Sequence, residues 1–170
     1  MDAYEAIIAK RDRRDYLDTP IPEDVLRRIL QAGRMAGSSS NSQPFRFVVL
    51  NDPKSEVRQK IGTAGAGTAP LVKAPLSIVI VLKRGSRDFD AGRTAQNMMV
   101  AAWADGVVSC PIGLQKDDIS SEALGLPEEF YAAIGVAFGY PAPPDPNAPV
   151  RENRERIPME ELVHHERWRA

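Results

Sequence analysis

The sequence predicts an α+β or mixed α/β domain built on one modest sheet. Three observations carry that prediction. Helix-like and strand-like segments follow one another as helices, strand, helix, strand, helix, strands, then a proline-rich arm and a tail. Leu76 to Leu82 (LSIVIVL) is apolar without polar alternation, as a strand buried on both faces would be. The 170 residues, 43% hydrophobic and 26% charged, suit one domain with a real core.

Ala3 to Ala9 reads as a short helix that ends in the charged run Lys10 to Asp15. Pro22 starts a second helix: proline is tolerated at a first helical position, and Glu23 and Asp24 suit the positive end of the dipole. Val25, Leu26, Ile29, Leu30 and Ala32 give it an apolar stripe, and Gly37 is a natural stop. Phe45 to Leu50 is aromatic and β-branched and reads as a strand. Val57 to Ile61 reads as a short helix, and Gly62 to Thr68 as a flexible loop before the Leu76 strand. In Asp90 to Asp105, Ala91, Ala95, Met98, Met99, Ala101 and Ala102 nearly encircle the axis, which predicts a deeply buried central helix. Val107 to Ile112 reads as a strand, Ser120 to Leu124 as a helix and Tyr131 to Gly139 as a strand. Pro141 to Pro149 holds five prolines in nine residues and predicts an extended arm. The tail from Pro158 to Arg167 looks helical, with a Met159–Leu162–Val163 edge that suggests packing on something distant, such as a second subunit.

Composition narrows the function. A net charge of -1 gives no global field for nucleic acid or an anionic membrane. The longest apolar run is far short of the ~20 residues that span a bilayer. One cysteine, Cys110, and a start without a signal-peptide core fit a cytoplasmic protein. The only two histidines are adjacent, and with one cysteine they make poor company for a metal. Gly62, Gly65 and Gly67 precede a strand, whereas a dinucleotide fingerprint follows one.

Two features remain. KRDRRD, Lys10 to Asp15, packs four cations and two anions into six residues at the end of a helix. Arginines there can solvate a helix end or fork onto a phosphate or carboxylate. A second basic cluster, Arg151, Arg154 and Arg156, follows the proline arm. GSSSNSQPFRFVVL, Gly37 to Leu50, crowds serines, Asn and Gln onto one turn before a strand. Such a loop suits solvent, or the polyol and ring edges of a ligand whose phosphate meets the cations.

In this order these residues resemble the nitroreductase-like family of FMN flavoproteins, in a short form. KRDRRDY (Lys10–Tyr16) is similar to the family's RRSxR stretch, and GSSSNSQPFRF (Gly37–Phe47) to PSSxNxQPWxF. DAGRTAQNMMVAAWADGVVSCPIG (Asp90–Gly113), LPEEFYAAIGVAFGYP (Leu126–Pro141) and RIPMEELVHHERW (Arg156–Trp168) complete the set. The resemblance implies an α+β nitroreductase-like fold, a central mostly antiparallel sheet flanked by helices, in an intertwined homodimer. It implies one FMN-binding domain over residues 1–170, with 141–170 an arm packed on the partner. It implies that Lys10 and Arg14 meet the phosphate and the pyrimidine side of the flavin, with Arg154 and Arg156 completing the phosphate site; Arg11 and Asp12 are counted with the cofactor-binding residues, Asp12 pairing with an arginine or accepting from a ribityl hydroxyl. Ser38, Ser39, Ser40, Asn41 and Gln43 would reach the flavin from the other subunit, and Pro111, Ile112, Gly113 and Leu114 would lie along it near N5. The implied activity is ping-pong: NADH or NADPH reduces the flavin, and a nitroaromatic, quinone or similar acceptor reoxidises it, with no side-chain nucleophile or metal.

Three departures stand out. Asp12 replaces the family serine, as in relatives that cleave flavin to dimethylbenzimidazole. Gly37 and Phe45 replace a proline and a tryptophan. The chain is also short, without the helical insertion that often covers the flavin. A flavin-consuming enzyme and a flavin-binding module without turnover are therefore the alternatives.

Overall fold

The computed structural model describes residues 2–143 and 155–168. Helix α1 (Ala3–Ala9) begins at a capping box in which Asp2 accepts the Glu5 N–H and the Glu5 carboxylate accepts the Asp2 N–H. Helix α2 (Glu23–Arg34) has Pro22 at its N-cap, one position earlier than the first helical turn, and stops at Met35, short of Gly37. Strand β1 (Phe45–Leu50), helix α3 (Glu56–Ile61) and helix α4 (Ala69–Lys73) lead into strand β2 (Leu76–Lys83). Helix α5 (Asp88–Ala104), strand β3 (Val108–Gly113), helix α6 (Asp117–Leu124), strand β4 (Phe130–Gly139) and the single turn α7 (Met159–Leu162) complete the order.

The four strands lie in the order β1-β2-β4-β3, and each neighbouring pair is antiparallel. Strand β2 is central and has a helical layer on each face. Ile78, Ile80 and Leu82 enter the core shared with α2 and α5, while Val79 and Val81 enter the core shared with Ile61 and Leu71. Two cores served by alternate residues are the reason the strand carries no polar alternation. Each of those side chains is 0–2% exposed and stabilises the fold by roughly 1.5–3 kcal/mol.

Three expectations are corrected. Helix α5 buries Asp90, Ala91, Thr94, Ala95, Met98, Met99 and Ala102 along one face, but Phe89, Arg93, Gln96 and Asn97 are exposed. Small alanines had blurred the stripe: Ala101 and Ala104 sit on the open side, and one protomer does not encircle this helix. The tail is helical over Met159–Leu162 alone, because Val163 is already extended and Glu166 takes φ 64°. Helix α4 was missed, since five residues carry no readable period. The arm beyond residue 143, with Arg151 and Arg154, lies outside the described residues.

The segment after α1 is strapped to the sheet. Asp12 bridges Ser109, Tyr16 bridges Pro141, and the Leu17 N–H donates to the Tyr140 carbonyl at 2.9 Å. The strap needs Gly139, where a Cβ would stand 2.8 Å from Tyr16 Cβ and 2.9 Å from Pro75 Cδ. Both neighbours lie close to their own backbones, so neither can swing aside. Gly139→Ala is expected to cost about 1–3 kcal/mol by overpacking, read as a melting temperature lower by about 2–4 °C per kcal/mol.

Candidate functional site

Lys10, Asp12 and Arg14 reach the site through that strap. The Arg13 N–H donates to the Ser109 carbonyl at 3.0 Å and the Tyr16 hydroxyl to the Arg13 carbonyl at 2.6 Å, so the strap runs beside β3. Strand β3 carries Pro111, Ile112 and Gly113, with Leu114 directly after it. The strap cations and the turn that sequence reasoning joined are therefore neighbours.

Their side chains differ. The Lys10 side chain is only 9% exposed, and its ammonium pairs with the Asp12 carboxylate and lies 3.5 Å from Met99 Sδ. Asp12 thus meets a lysine, where the sequence suggested an arginine or a ligand hydroxyl. Arg14 is exposed and has no carboxylate partner among the described residues. Arg11 turns away: its guanidinium donates to the Ile8 and Lys10 carbonyls, at 2.6 and 2.9 Å, and caps α1. A cation just past a helix C-terminus is drawn to those carbonyls, which is why the sequence could not separate Arg11 from Arg14. Arg156 is exposed and unpaired among the described residues, and Arg154 lies outside them.

Burial raises the Cys110 thiol above its ordinary range, partly opposed by nearby Arg14, and Cys110 is 1% exposed. It is a neutral thiol packed as a small apolar side chain. Burial likewise raises the Tyr16 hydroxyl, with the Cys110 charge adding and the Arg14 charge opposing. Neither group is poised to exchange protons near neutral pH. Sequence reasoning missed Ser109, whose hydroxyl is buried without a hydrogen-bond partner. Nothing local marks it, since its position beside Asp12 arises only from pairing.

The serine loop is built from strained backbone. Ser40, Asn41 and Gln43 take φ of 49°, 53° and 47°, a left-handed region uncommon for residues other than glycine. Ser38 Oγ accepts the Gln43 N–H at 2.9 Å and locks the turn. The Ser39, Ser40 and Asn41 side chains make no hydrogen bond among the described residues and are exposed. Three left-handed conformations in one short turn, with the Ser39, Ser40 and Asn41 side chains exposed, make the loop a candidate ligand contact.

The loop leads into β1, and the strap lies beside β3; these are the two opposite edges of the sheet. Three strand spacings separate them by about 14 Å. Phe45 and Gly113 nevertheless lie toward the same end, through the pairings Phe45–Leu82–Tyr131 and Gly113–Ile134. Each protomer therefore displays two candidate half-sites on opposite edges: the exposed Arg14 with the Asp12-paired Lys10 beside a glycine-bearing turn, and a polar loop. That donor set suits a ligand with a phosphate, a polyol and a polar ring edge.

Comparison with known proteins gives the family. The profile of the nitroreductase family matches residues 7–84 and 83–140. A protein of Archaeoglobus fulgidus provisionally named NADH dehydrogenase/NAD(P)H nitroreductase is 28% identical across 98% of this chain and 99% of its own. The NADPH-flavin oxidoreductase of Vibrio harveyi is 28% identical across 98% of this chain and 75% of its own. A solved structure from Desulfovibrio desulfuricans, described as a nitroreductase in complex with FMN, superposes with a TM-score of 0.82 at 26% identity. It covers 98% of this chain and 97% of that one.

Proposed function

The chain belongs to the nitroreductase family, and on that premise we propose that it is an NAD(P)H-dependent oxidoreductase working through FMN held between two copies of the chain. The observation that carries the reading is the placement of the Arg14 strap and the polar serine loop on opposite edges of one sheet. Two copies related by a two-fold axis bring the strap of each to the loop of the other.

In this arrangement Arg14 and Arg156 hold the phosphate and the electron-rich pyrimidine edge, because guanidinium forks match both. Lys10 contributes its charge from beneath and is kept in place by Asp12. Ser39, Ser40 and Asn41 of the partner copy close over the ligand, and the Pro111–Leu114 backbone forms the wall beside its reacting edge. Bound there, FMN would supply the redox chemistry between NAD(P)H and a nitroaromatic, quinone or similar acceptor, the two substrates using one pocket in turn. A cation at Arg14 favours the negative charge that develops there, an electrostatic contribution already in position before reaction.

The dimer explains the exposed apolar surface. Tyr4, Ile7, Met35 and Phe89 are 71%, 58%, 66% and 68% exposed, and Ile7 and Met35 line a groove with Gln96, Asn97 and Ala101 of α5. A groove of about 990 Å³ between α2 and α5 reaches the same Ala101 and Met35. Apolar surface of this kind marks an interface. The tail, with Ile157, Met159 and Leu162 exposed at 57%, 69% and 55%, extends the same contact to the partner.

Arg14→Ala is expected to weaken FMN binding by about 1.5–3 kcal/mol, roughly 10- to 150-fold, as for a lost charged hydrogen bond. Flavin-fluorescence titration measures it, and an unchanged affinity removes Arg14 from the site. The Lys10–Asp12 pair ties up the carboxylate that suggested flavin cleavage. Clean reoxidation of the reduced protein by oxygen is the expected result, and permanent loss of the flavin spectrum would restore the cleaving enzyme.

A further inference from the structure

The loop Gly62–Thr68 and the turn after β3 are joined by one side chain. Gln115 Oε1 accepts the Ala66 N–H at 2.9 Å, and the Lys116 N–H donates to the Ala64 carbonyl at 2.9 Å. The fit depends on glycine at position 65. A Cβ there would stand 1.8 Å from Gln115 Oε1 and 3.2 Å from the Gly113 carbonyl oxygen. The loop is also closed on itself, since the Thr68 hydroxyl donates to the Gly62 and Gly65 carbonyls. Ala64 is 0% exposed beneath it. A run of glycine, alanine and threonine, free to sample many conformations in isolation, therefore has one seat against residues 113–116.

We infer that Gln115 is a positioning residue for both substrates of the oxidoreductase. It holds Gly62–Thr68 as a fixed wall beside the Pro111–Leu114 turn. The inference rests on the reading that this turn borders the flavin. Reductant and acceptor then meet a wall already formed, and neither has to order the loop out of its binding energy. The staple touches no reacting atom, so it acts on substrate affinity and leaves the electron-transfer step alone. One neutral hydrogen bond of ordinary strength shifts such a closed state by about fivefold.

The test uses the FMN-loaded protein with NADPH or NADH as reductant and menadione as acceptor. Gln115→Leu removes the acceptor oxygen while keeping similar bulk. It should raise KM for reductant and quinone, by up to about fivefold, at unchanged kcat and FMN content. Amide hydrogen exchange across Ala64–Thr68 should quicken by a similar factor. Gln115→Glu keeps an acceptor oxygen and should return both KM values and the exchange rates to those of the parent. Faster exchange with unchanged KM would reduce the staple to a feature of folding alone, and unchanged exchange would deny the staple itself. A parent protein that binds no FMN would remove the reading beneath the proposal, and the exchange rates separate that failure from a failure of Gln115.

Discussion

Arg58→Met is expected to lower the unfolding free energy by about 2–4 kcal/mol, the largest stability loss foreseen from a single side chain here. Arg58 lies on α3 with 0% exposure, deep among apolar residues. Its Nε donates to the Leu71 carbonyl at 2.6 Å, and one terminal nitrogen donates to the Ala74 carbonyl and to Ser77 Oγ at 3.1 Å. Leu71 and Ala74 lie at the end of α4, whose last carbonyls have no partner within so short a helix. Arg58 supplies those partners and ties α3 and α4 to the start of β2. Burial lowers its pKa to about 10, so it stays charged at neutral pH, and its remaining nitrogen has no partner. The desolvation cost of that charge is recovered in the methionine variant, which keeps the loss below a simple sum of three bonds. The Leu71 carbonyl would still accept from Ser77, at 2.9 Å, but the Ala74 carbonyl would be left buried and unpaired. A melting temperature lower by about 5–15 °C is the readout. A variant as stable as the parent would show that α4 needs no such cap.

Ala101→Glu is expected to abolish both the dimer and FMN retention while leaving the protomer folded. Ala101 is half-buried on the open side of α5 and lines the grooves toward α1 and α2. In an isolated protomer the new carboxylate finds water. In a dimer closed over this face, two-fold symmetry places the change in the seam twice. Each unpaired carboxylate then costs several kcal/mol of desolvation, which lowers association by at least ~100-fold. Sedimentation should show a monomer with an unchanged far-ultraviolet spectrum, and flavin should be lost on gel filtration. A monomer that keeps FMN would end the two-copy site, and an intact dimer would put the seam on another face.

Much of the fold was legible because its signals are local. Phe45–Leu50 and Leu76–Leu82 read as strands from side-chain type alone, and Ala3–Ala9 as a short helix. What escaped depends on distant partners. Helix α4 exists with its carbonyls met by Arg58, thirteen and sixteen residues away. Helix α5 looked apolar all round because alanine fits a core and a surface equally well, and only packing decides between them. Within the candidate site, the cation run and the serine loop stood out by residue type, and Lys10 and Arg14 were singled out by the family resemblance. Arg11 was named with them, because a charge run does not say which cation turns back onto its own helix end.

By itself the sequence determined which residue types the candidate site offers, where the strands and main helices lie and which family the chain resembles. These follow from composition, period and order, all written along one dimension. Only the tertiary structure decided that the serine loop and the cation strap lie on opposite edges of one sheet, that Asp12 is engaged by Lys10 and that Gln115 seats on Gly65. Those are facts of strand order and close approach between segments far apart in the chain. Pairing energies shared across the whole sheet select them, and no local stretch of residues contains that information.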